Sequence, residues 1–281
     1  MGRAADIELT DLTLGYDRHP AVHHLSGRIP AGSLLAVVGP NGGGKSTLLR
    51  GLVGELKPIG GRIGGLRRAV TAYVPQQDGI DRSYPVSVFD LVAMGLWDQR
   101  GLFGGFAGPD DAAVSAALGR VGLAGFERRP VGTLSGGQLQ RALFARVTLQ
   151  DAAVILLDEP FSAIDAATID DLMAIVHGWT GEGRTVVAVL HDLALVRAHF
   201  PGTLLLARGP VAWGPTELAL SPANLARARA MPEAFDDAAP FCEADGQGPA
   251  SSAHAHAGGH AHHDHGHDHG HDHGPARPHR H

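Results

Sequence analysis

The apolar residues of this chain fall into short continuous runs, separated by stretches with helical spacing. Such runs stand at residues 34–38, 69–74, 153–157, 185–190 and 203–207. A strand that is buried on both faces carries no polar alternation, so runs of this kind are typical of the inner strands of an α/β sheet. The pattern predicts an α/β core.

Other stretches predict additions to that core. Residues 6–38 alternate polar and apolar positions between glycine and proline turn signals, which favours short antiparallel strands. Residues 86–149 take on helical periodicity, with a glycine-rich break at 101–108, and predict a helical subdomain inserted at about 87–149. Two further glycine-rich stretches are expected to be turns, followed by short helical pieces to about residue 235: 58–65 and 209–214.

A glycine loop follows the first inner strand and precedes helically spaced leucines. Its residues are Gly39, Pro40, Asn41, Gly42, Gly43, Gly44, Lys45, Ser46 and Thr47. Glycines let a loop turn its backbone N–H groups around a phosphate, and the following helix start adds further donors. Lys45 can then neutralise phosphate charge and the Ser46 hydroxyl can ligate Mg²⁺. A plain glycine-rich turn is the alternative, but every fixed position of the phosphate-loop pattern is filled, so we predict a nucleotide site.

Four other positions carry candidate chemistry. Asp158 and Glu159 follow the run 153–157, and His191 follows the run 185–190, so all three are expected at the sheet edge where α/β proteins bind ligands. The first carboxylate can hold Mg²⁺ through water, and the second can orient or deprotonate an attacking water. A polar strand end is the alternative for each. Tyr16 ends the first strand, where its ring could stack on adenine or pack on the strand.

A second glycine-rich helix start is predicted from Ser135, Gly136, Gly137 and Gln138. Ser135 has the character of an N-cap residue. Capping alone would explain the serine, but two glycines weaken the first turn of a helix. We therefore interpret the segment as a phosphate-binding helix start.

Composition bounds the setting. The chain has 281 residues, a formal net charge of -6 and one cysteine, Cys242, so it offers no general basic field for nucleic acid and no intrachain disulfide. We expect a reducing compartment, no secretory signal in the first ten residues, and no membrane span, since no apolar run approaches the roughly 20 residues that a span needs. Residues 1–243 are predicted to form the folded domain.

Residues 244–281 change in composition and are expected to be a disordered tail, because they contain almost no large apolar side chains. Histidine alternates there with aspartate and glycine, and imidazole with carboxylate suits Zn²⁺, Ni²⁺, Co²⁺ and Cu²⁺. A purification tag and a merely solvating tail are the alternatives. The candidate metal ligands are His262, His263, His265, His267, His269, His271 and His273.

Taken in order, these segments resemble the ATP-binding subunit of an ABC transporter over roughly residues 6–225. In that resemblance 39–47 is the Walker A loop, Gln76 the Q-loop glutamine and 134–138 the LSGGQ signature. Residues 154–159 match Walker B and 162–165 the D-loop, while His191 matches the switch histidine and Tyr16 the A-loop aromatic. The implied fold is a RecA-like P-loop NTPase core with an antiparallel β subdomain and an inserted helical subdomain.

The resemblance also implies a mechanism. Two copies would sandwich two ATP molecules, each between Walker A of one chain and the Ser135–Gln138 segment of the other. Glu159 would act as general base and His191 would contact the γ-phosphate, while Ser46, Gln76 and Asp158 would hold Mg²⁺ directly or through water. The implied partners are a second copy and an integral membrane permease, at the cytoplasmic face of the bacterial inner membrane.

A narrower resemblance points to the ATPases of bacterial zinc and manganese importers. It is carried by the strings at 73–76, 83–88, 94–95 and 101–106. Histidine suits zinc better than manganese, so the tail favours zinc, with an extracytoplasmic metal-binding protein as an indirect partner. The alternatives are manganese, nickel or cobalt import, a soluble ABC ATPase without a membrane partner, and a tail that acts as metal buffer or sensor.

Overall fold

The computed structural model describes residues 6–17, 19–66, 71–76, 82–97, 108–162 and 164–230. A six-stranded sheet has the order β5-β6-β7-β3-β8-β9, and a three-stranded antiparallel sheet has the order β2-β1-β4. The strands are β1 Ile7–Tyr16, β2 His19–Ile29, β3 Leu34–Val38, β4 Gly60–Gly64, β5 Thr71–Val74, β6 Val154–Asp158, β7 Thr185–Val189, β8 Gly202–Ala207 and β9 Gly209–Pro215.

The helices are α1 Lys45–Val53, α2 Val88–Ala93, α3 Gly108–Arg120, α4 Gly136–Gln150, α5 Ala166–Gly181, α6 Leu193–His199, α7 Thr216–Ala219 and α8 Pro222–Ala230. Short 3₁₀ turns stand at Met94–Leu96 and Val131–Thr133. The helices α2, α3 and α4 pack against one another, in the stretch where helical periodicity predicted an insertion.

The larger sheet confirms the predicted α/β core. Strands β5, β6, β7, β3 and β8 run parallel, and every residue of β3, β6 and β7 is buried. Alternate side chains of one strand feed two cores on opposite faces of the sheet: Leu34, Ala36 and Val38 pack in one core, and Leu35 and Val37 in the other. The continuous apolar runs exist because both faces are covered.

Three expectations were wrong. The stretch 58–65 is not only a turn, because β4 pairs with β1 and places Ile63 opposite Leu9. The stretch 209–214 is strand β9, antiparallel to β8, and its Trp213 lies directly over Gly27 of β2, where a Cβ would come within 2.3 Å of the indole. Glycine-rich edge strands pair through their backbone and leave no apolar pattern to recognise. Finally, 34–38 belongs to the parallel sheet rather than to the antiparallel strands expected over 6–38.

Candidate nucleotide site

The loop between β3 and α1 needs glycine at its ends for steric reasons. Gly44, the N-cap of α1, has a φ of 88°, and a Cβ there would lie 2.4 Å from the carbonyl oxygen of Ala21. A Cβ on Gly39 would lie 1.8 Å from the carbonyl oxygen of Leu206. No side chain caps α1, so its first backbone donors are left for another acceptor.

Lys45 is buried at the start of α1, with 6% of its surface exposed. Its Nζ donates to the carbonyl oxygens of Gly39 at 3.1 Å and Pro40 at 2.9 Å. Burial lowers the pKa of Lys45, whereas the nearby charges of Glu159 and Asp158 raise it. The loop therefore holds an ammonium group that is bonded to neutral oxygens, which suits a site for an anion.

Asp158 ends β6 beside the phosphate loop and is 3% exposed. Each of its two carboxylate oxygens accepts a hydroxyl: Ser46 Oγ donates to Oδ1 at 3.1 Å, and the Tyr73 hydroxyl donates to Oδ2 at 3.2 Å. Burial raises the pKa of Asp158, and these two hydrogen bonds lower it. The sequence analysis predicted Ser46 and Asp158 together but missed the hydroxyl of Tyr73.

Glu159 is the meeting point of three side chains. Its Oε2 accepts from Gln76 Nε2 at 3.1 Å and from Ser162 Oγ at 3.3 Å, and its Oε1 lies 2.6 Å from His191 Nε2. Its backbone is in the left-handed region, with a φ of 50°, a conformation that is uncommon for a residue with a side chain. The structure thus brings Gln76, Glu159 and His191 to the same sheet edge, as parallel strands that end together allow.

Tyr16 lies at the end of β1 with 42% of its surface exposed. Its hydroxyl accepts a hydrogen bond of 3.2 Å from Nη1 of Arg50, a residue of α1 that the sequence analysis did not select. Arg50 also interacts with the hydroxyl of Tyr73. A tyrosine that is held at its hydroxyl keeps a ring face available, so both the stacking and the packing interpretation of Tyr16 are compatible with this position.

The Ser135–Gln138 segment starts α4 and closes on itself. Ser135 Oγ accepts from the backbone N–H of Gln138 at 3.2 Å, and Gln138 Oε1 accepts from the backbone N–H of Ser135 at 3.0 Å. This capping box confirms the predicted N-cap. Gly137 lies beside Thr168 at the start of α5, where a Cβ would be 3.7 Å from Thr168 Cγ2. Ser135 and Gln138 thus bond to each other rather than to the phosphate loop.

The residues at the sheet edge fit a magnesium nucleotide. Ser46, Gln76 and Asp158 present hydroxyl, amide and carboxylate oxygens, the ligand types that Mg²⁺ prefers, next to an open helix start and a buried lysine. A transition-metal site is a different matter: across the described ranges, no group of three or more His, Cys, Asp or Glu side chains could hold a metal ion. The tail histidines lie outside the described residues.

Strand, glycine loop, helix and strand-end carboxylates together define a P-loop nucleotide-binding protein. The comparisons with known proteins identify the family. The family model described as ABC transporter matches residues 22–162. The manganese transport system ATP-binding protein MntB of Bacillus subtilis is 36% identical over 225 residues, covering 78% of this chain and 90% of that protein.

Two further relatives agree. The zinc transport system ATP-binding protein TroB of Treponema pallidum is 38% identical over 207 residues, covering 71% of this chain and 77% of that protein. A solved structure described as a metal-chelate type ABC transporter in an inward-facing conformation is 31% identical, with a TM-score of 0.71, and the match covers 79% of this chain and 88% of that one. This chain belongs to the ABC transporter family and is an ATP-hydrolysing member of it. Within the ranges that the structure describes, no helix is both long enough and apolar enough to cross a bilayer.

Proposed function

We propose that this chain hydrolyses ATP to energise the import of a transition metal, zinc in the first place, through a separate membrane permease. The observation that carries the ATPase part is the convergence of Gln76, Ser162 and His191 on Glu159, beside Asp158 and Ser46. The names of the relatives, which include manganese and zinc transport systems, support a metal as cargo.

The roles follow from the geometry at the sheet edge. Lys45 and the open start of α1 bind the β- and γ-phosphates, with backbone donors from 39–47. Ser46, Gln76 and Asp158 would hold Mg²⁺, which when bound neutralises phosphate charge. Tyr16 offers a ring face to adenine.

Glu159 acts as the general base. As an attacking water forms its bond to the γ-phosphorus and the bond to the bridging oxygen breaks, Glu159 accepts the water's proton. His191 lies 2.6 Å from Glu159 and donates to the departing γ-phosphate. Gln76 and Ser162 orient the carboxylate until nucleotide binds.

A second copy of this chain is the first partner. The Ser135–Gln138 segment starts α4 with two glycines, yet its side chains bond to each other rather than to the phosphate loop of the same chain. We propose that Ser135, Gly136, Gly137 and Gln138 complete the ATP site of a partner chain. The permease and an extracytoplasmic metal-binding protein follow as further partners, with the dimer peripheral at the cytoplasmic face of the inner membrane.

Residues 1–243 form the ATPase domain in this proposal, with helices from about 87 to 149 as the subdomain that moves on closure, and 244–281 form a metal-binding tail. His262, His263, His265, His267, His269, His271 and His273 would bind Zn²⁺ in several exchanging sets. Manganese is the second candidate cargo, because MntB of Bacillus subtilis is among the relatives.

The test is total cellular metal, element by element, in cells that lack this chain and are complemented with wild type or with Glu159→Gln under metal limitation. Zinc that is low in the null and in Glu159→Gln and restored by wild type would support the proposal. A fall in manganese, nickel or cobalt instead would move the cargo. No change in any metal would overturn metal import. Deletion of 244–281 tests the tail: an unchanged ATPase response to added zinc would remove a sensing role.

A further inference from the structure

Tyr73 stands where the register of two neighbouring strands brings a hydroxyl to the carboxylate of Asp158. Tyr73 pairs with Leu156 in the parallel ladder of β5 and β6, and Asp158 follows Leu156 by two residues. Side chains two apart on a strand share a face, about 6.6 Å apart, which is within the reach of a tyrosine side chain that leans along the strand. The contact of 3.2 Å between the Tyr73 hydroxyl and Asp158 Oδ2 is therefore built into the sheet.

Tyr73 is held from both faces of the sheet. Its ring packs on the core that contains Leu156 and the α1 residues Leu48 and Leu49. Its backbone carbonyl accepts a hydrogen bond of 3.0 Å from Nη2 of Arg146, in the middle of α4. A hydroxyl on a side chain with both ends fixed has little freedom to turn away from its acceptor.

The carboxylate is thereby held at both oxygens. Ser46 donates to Oδ1 from α1, and Tyr73 donates to Oδ2 from β5. A carboxylate with one hydrogen bond can still rotate about its terminal torsion, whereas donors on opposite oxygens fix its plane.

We propose that Tyr73 is a positioning residue that fixes the carboxylate of Asp158 for magnesium bound with the nucleotide. Tyr73 does not touch the nucleotide in this proposal and acts only through Asp158. The inference rests on the proposed role of Asp158 as a magnesium-holding residue. A purely structural tyrosine, whose ring fills the core under α1, is the competing explanation.

Tyr73→Phe separates the two explanations because it keeps the ring and removes only the hydroxyl. The affinity of a fluorescent ATP analogue is measured with Mg²⁺ and again with a chelator, for wild type, Tyr73→Phe and Asp158→Asn. The chain has three tyrosines. The exposed Tyr84, replaced by phenylalanine, is the matched control for loss of a hydroxyl.

We expect Tyr73→Phe to reduce the gain in affinity that Mg²⁺ provides by about fivefold to tenfold, the effect of one hydrogen bond to a charged group. The affinity measured with chelator and the melting temperature should stay at the wild-type values, and Tyr84→Phe should match wild type throughout. The half-saturating Mg²⁺ concentration for hydrolysis should rise by the same factor, while the rate at saturating Mg²⁺ stays within about twofold.

Equal gains from Mg²⁺ in Tyr73→Phe and wild type would overturn the inference. So would equal losses with Mg²⁺ and with chelator, or a lowered melting temperature that accounts for both, since a ring that only supports the fold would give those results. If wild type itself gained no affinity from Mg²⁺, as Asp158→Asn should not, the proposed function of the site would fail instead.

Discussion

The two glycine-rich helix starts of this chain, at α1 and at α4, look alike in sequence and differ in how they are finished. The start of α1 has no side-chain cap, a buried lysine and two carboxylates at its side. The start of α4 carries a complete capping box, in which Ser135 and Gln138 satisfy each other's backbone N–H groups. One helix start is left open toward a ligand, and the other is closed within its own chain.

The difference teaches that glycine at a helix start has two uses. At α1 the glycines prevent clashes, since a Cβ on Gly44 would meet Ala21 at 2.4 Å. At α4 a Cβ on Gly137 would meet only ordinary contacts, the nearest at 3.7 Å. Sterics within this chain therefore explain the glycine at Gly44 and do not explain the glycine at Gly137, which agrees with the proposal that the second site is completed by another copy.

The largest expected effect breaks the open helix start itself. Gly44→Ala forces a side chain into the left-handed region and against backbone, so we expect a loss of about 3 kcal/mol in the free energy of unfolding. Gly42→Ala is the matched control: its φ is 73°, but nothing lies within 4 Å of the added Cβ. It should lose only the backbone strain, about 1 kcal/mol. Thermal unfolding without nucleotide measures both, and equal losses would refute the steric account.

Lys45→Ala tests the charge at the open start. We expect ATP affinity to fall about 30-fold, or about 2 kcal/mol, because a charge-assisted hydrogen bond to phosphate is lost. Equilibrium binding of ATP measures the fall. The exposed Lys57, replaced by alanine, is the control and should bind ATP as wild type does. A similar loss in both variants would mean that general positive charge, rather than the buried ammonium, holds the nucleotide.

Ser135→Ala tests the closed start. Loss of the N-cap should lower the free energy of unfolding by about 1 kcal/mol, a fall of about 2–4 °C in melting temperature for a domain of this size. ATP binding by the single chain should be unchanged while hydrolysis falls, if Ser135 completes a partner's site. Ser135→Thr keeps a capping hydroxyl and should recover the melting temperature. Reduced ATP binding by the isolated chain would contradict the separation of the two helix starts.

The smallest effect concerns a third helix start, that of α5, where Asp165 Oδ1 accepts the backbone N–H of Thr168 at 2.9 Å. This backbone hydrogen bond, followed by the one from the Thr168 hydroxyl, lowers the pKa of Asp165 from its ordinary 3.8. A lowered pKa in the folded state means that the charged cap stabilises the fold above pH 3.8 and that this stability is lost as pH falls through the lower folded value. Wild type should therefore exceed Asp165→Asn in urea midpoint at pH 7, with the gap closing in acid. Exposed Asp170→Asn on the same helix is the control, and a gap that is independent of pH would argue against the charge.

Local patterns in the sequence were enough to predict the nucleotide loop, the inner strands and the capped start of α4. The reason is that each is determined by neighbours along the chain: glycine for a left-handed turn, unbroken apolar residues for a strand covered on both faces, and serine three residues before a glutamine for a capping box. The positions of Ser46, Asp158, Glu159 and His191 at one edge also followed, since parallel strands end together.

Only the tertiary structure decided the rest. Strands β4 and β9 were taken for turns because edge pairing is chosen by the partner strand, as when Trp213 finds Gly27. Tyr73 and Arg50 joined the site because the ladder of β5 and β6 and the position of α1 aim their side chains there. Hydrogen bonds between residues far apart in the chain depend on register and packing, which no local pattern of residues records.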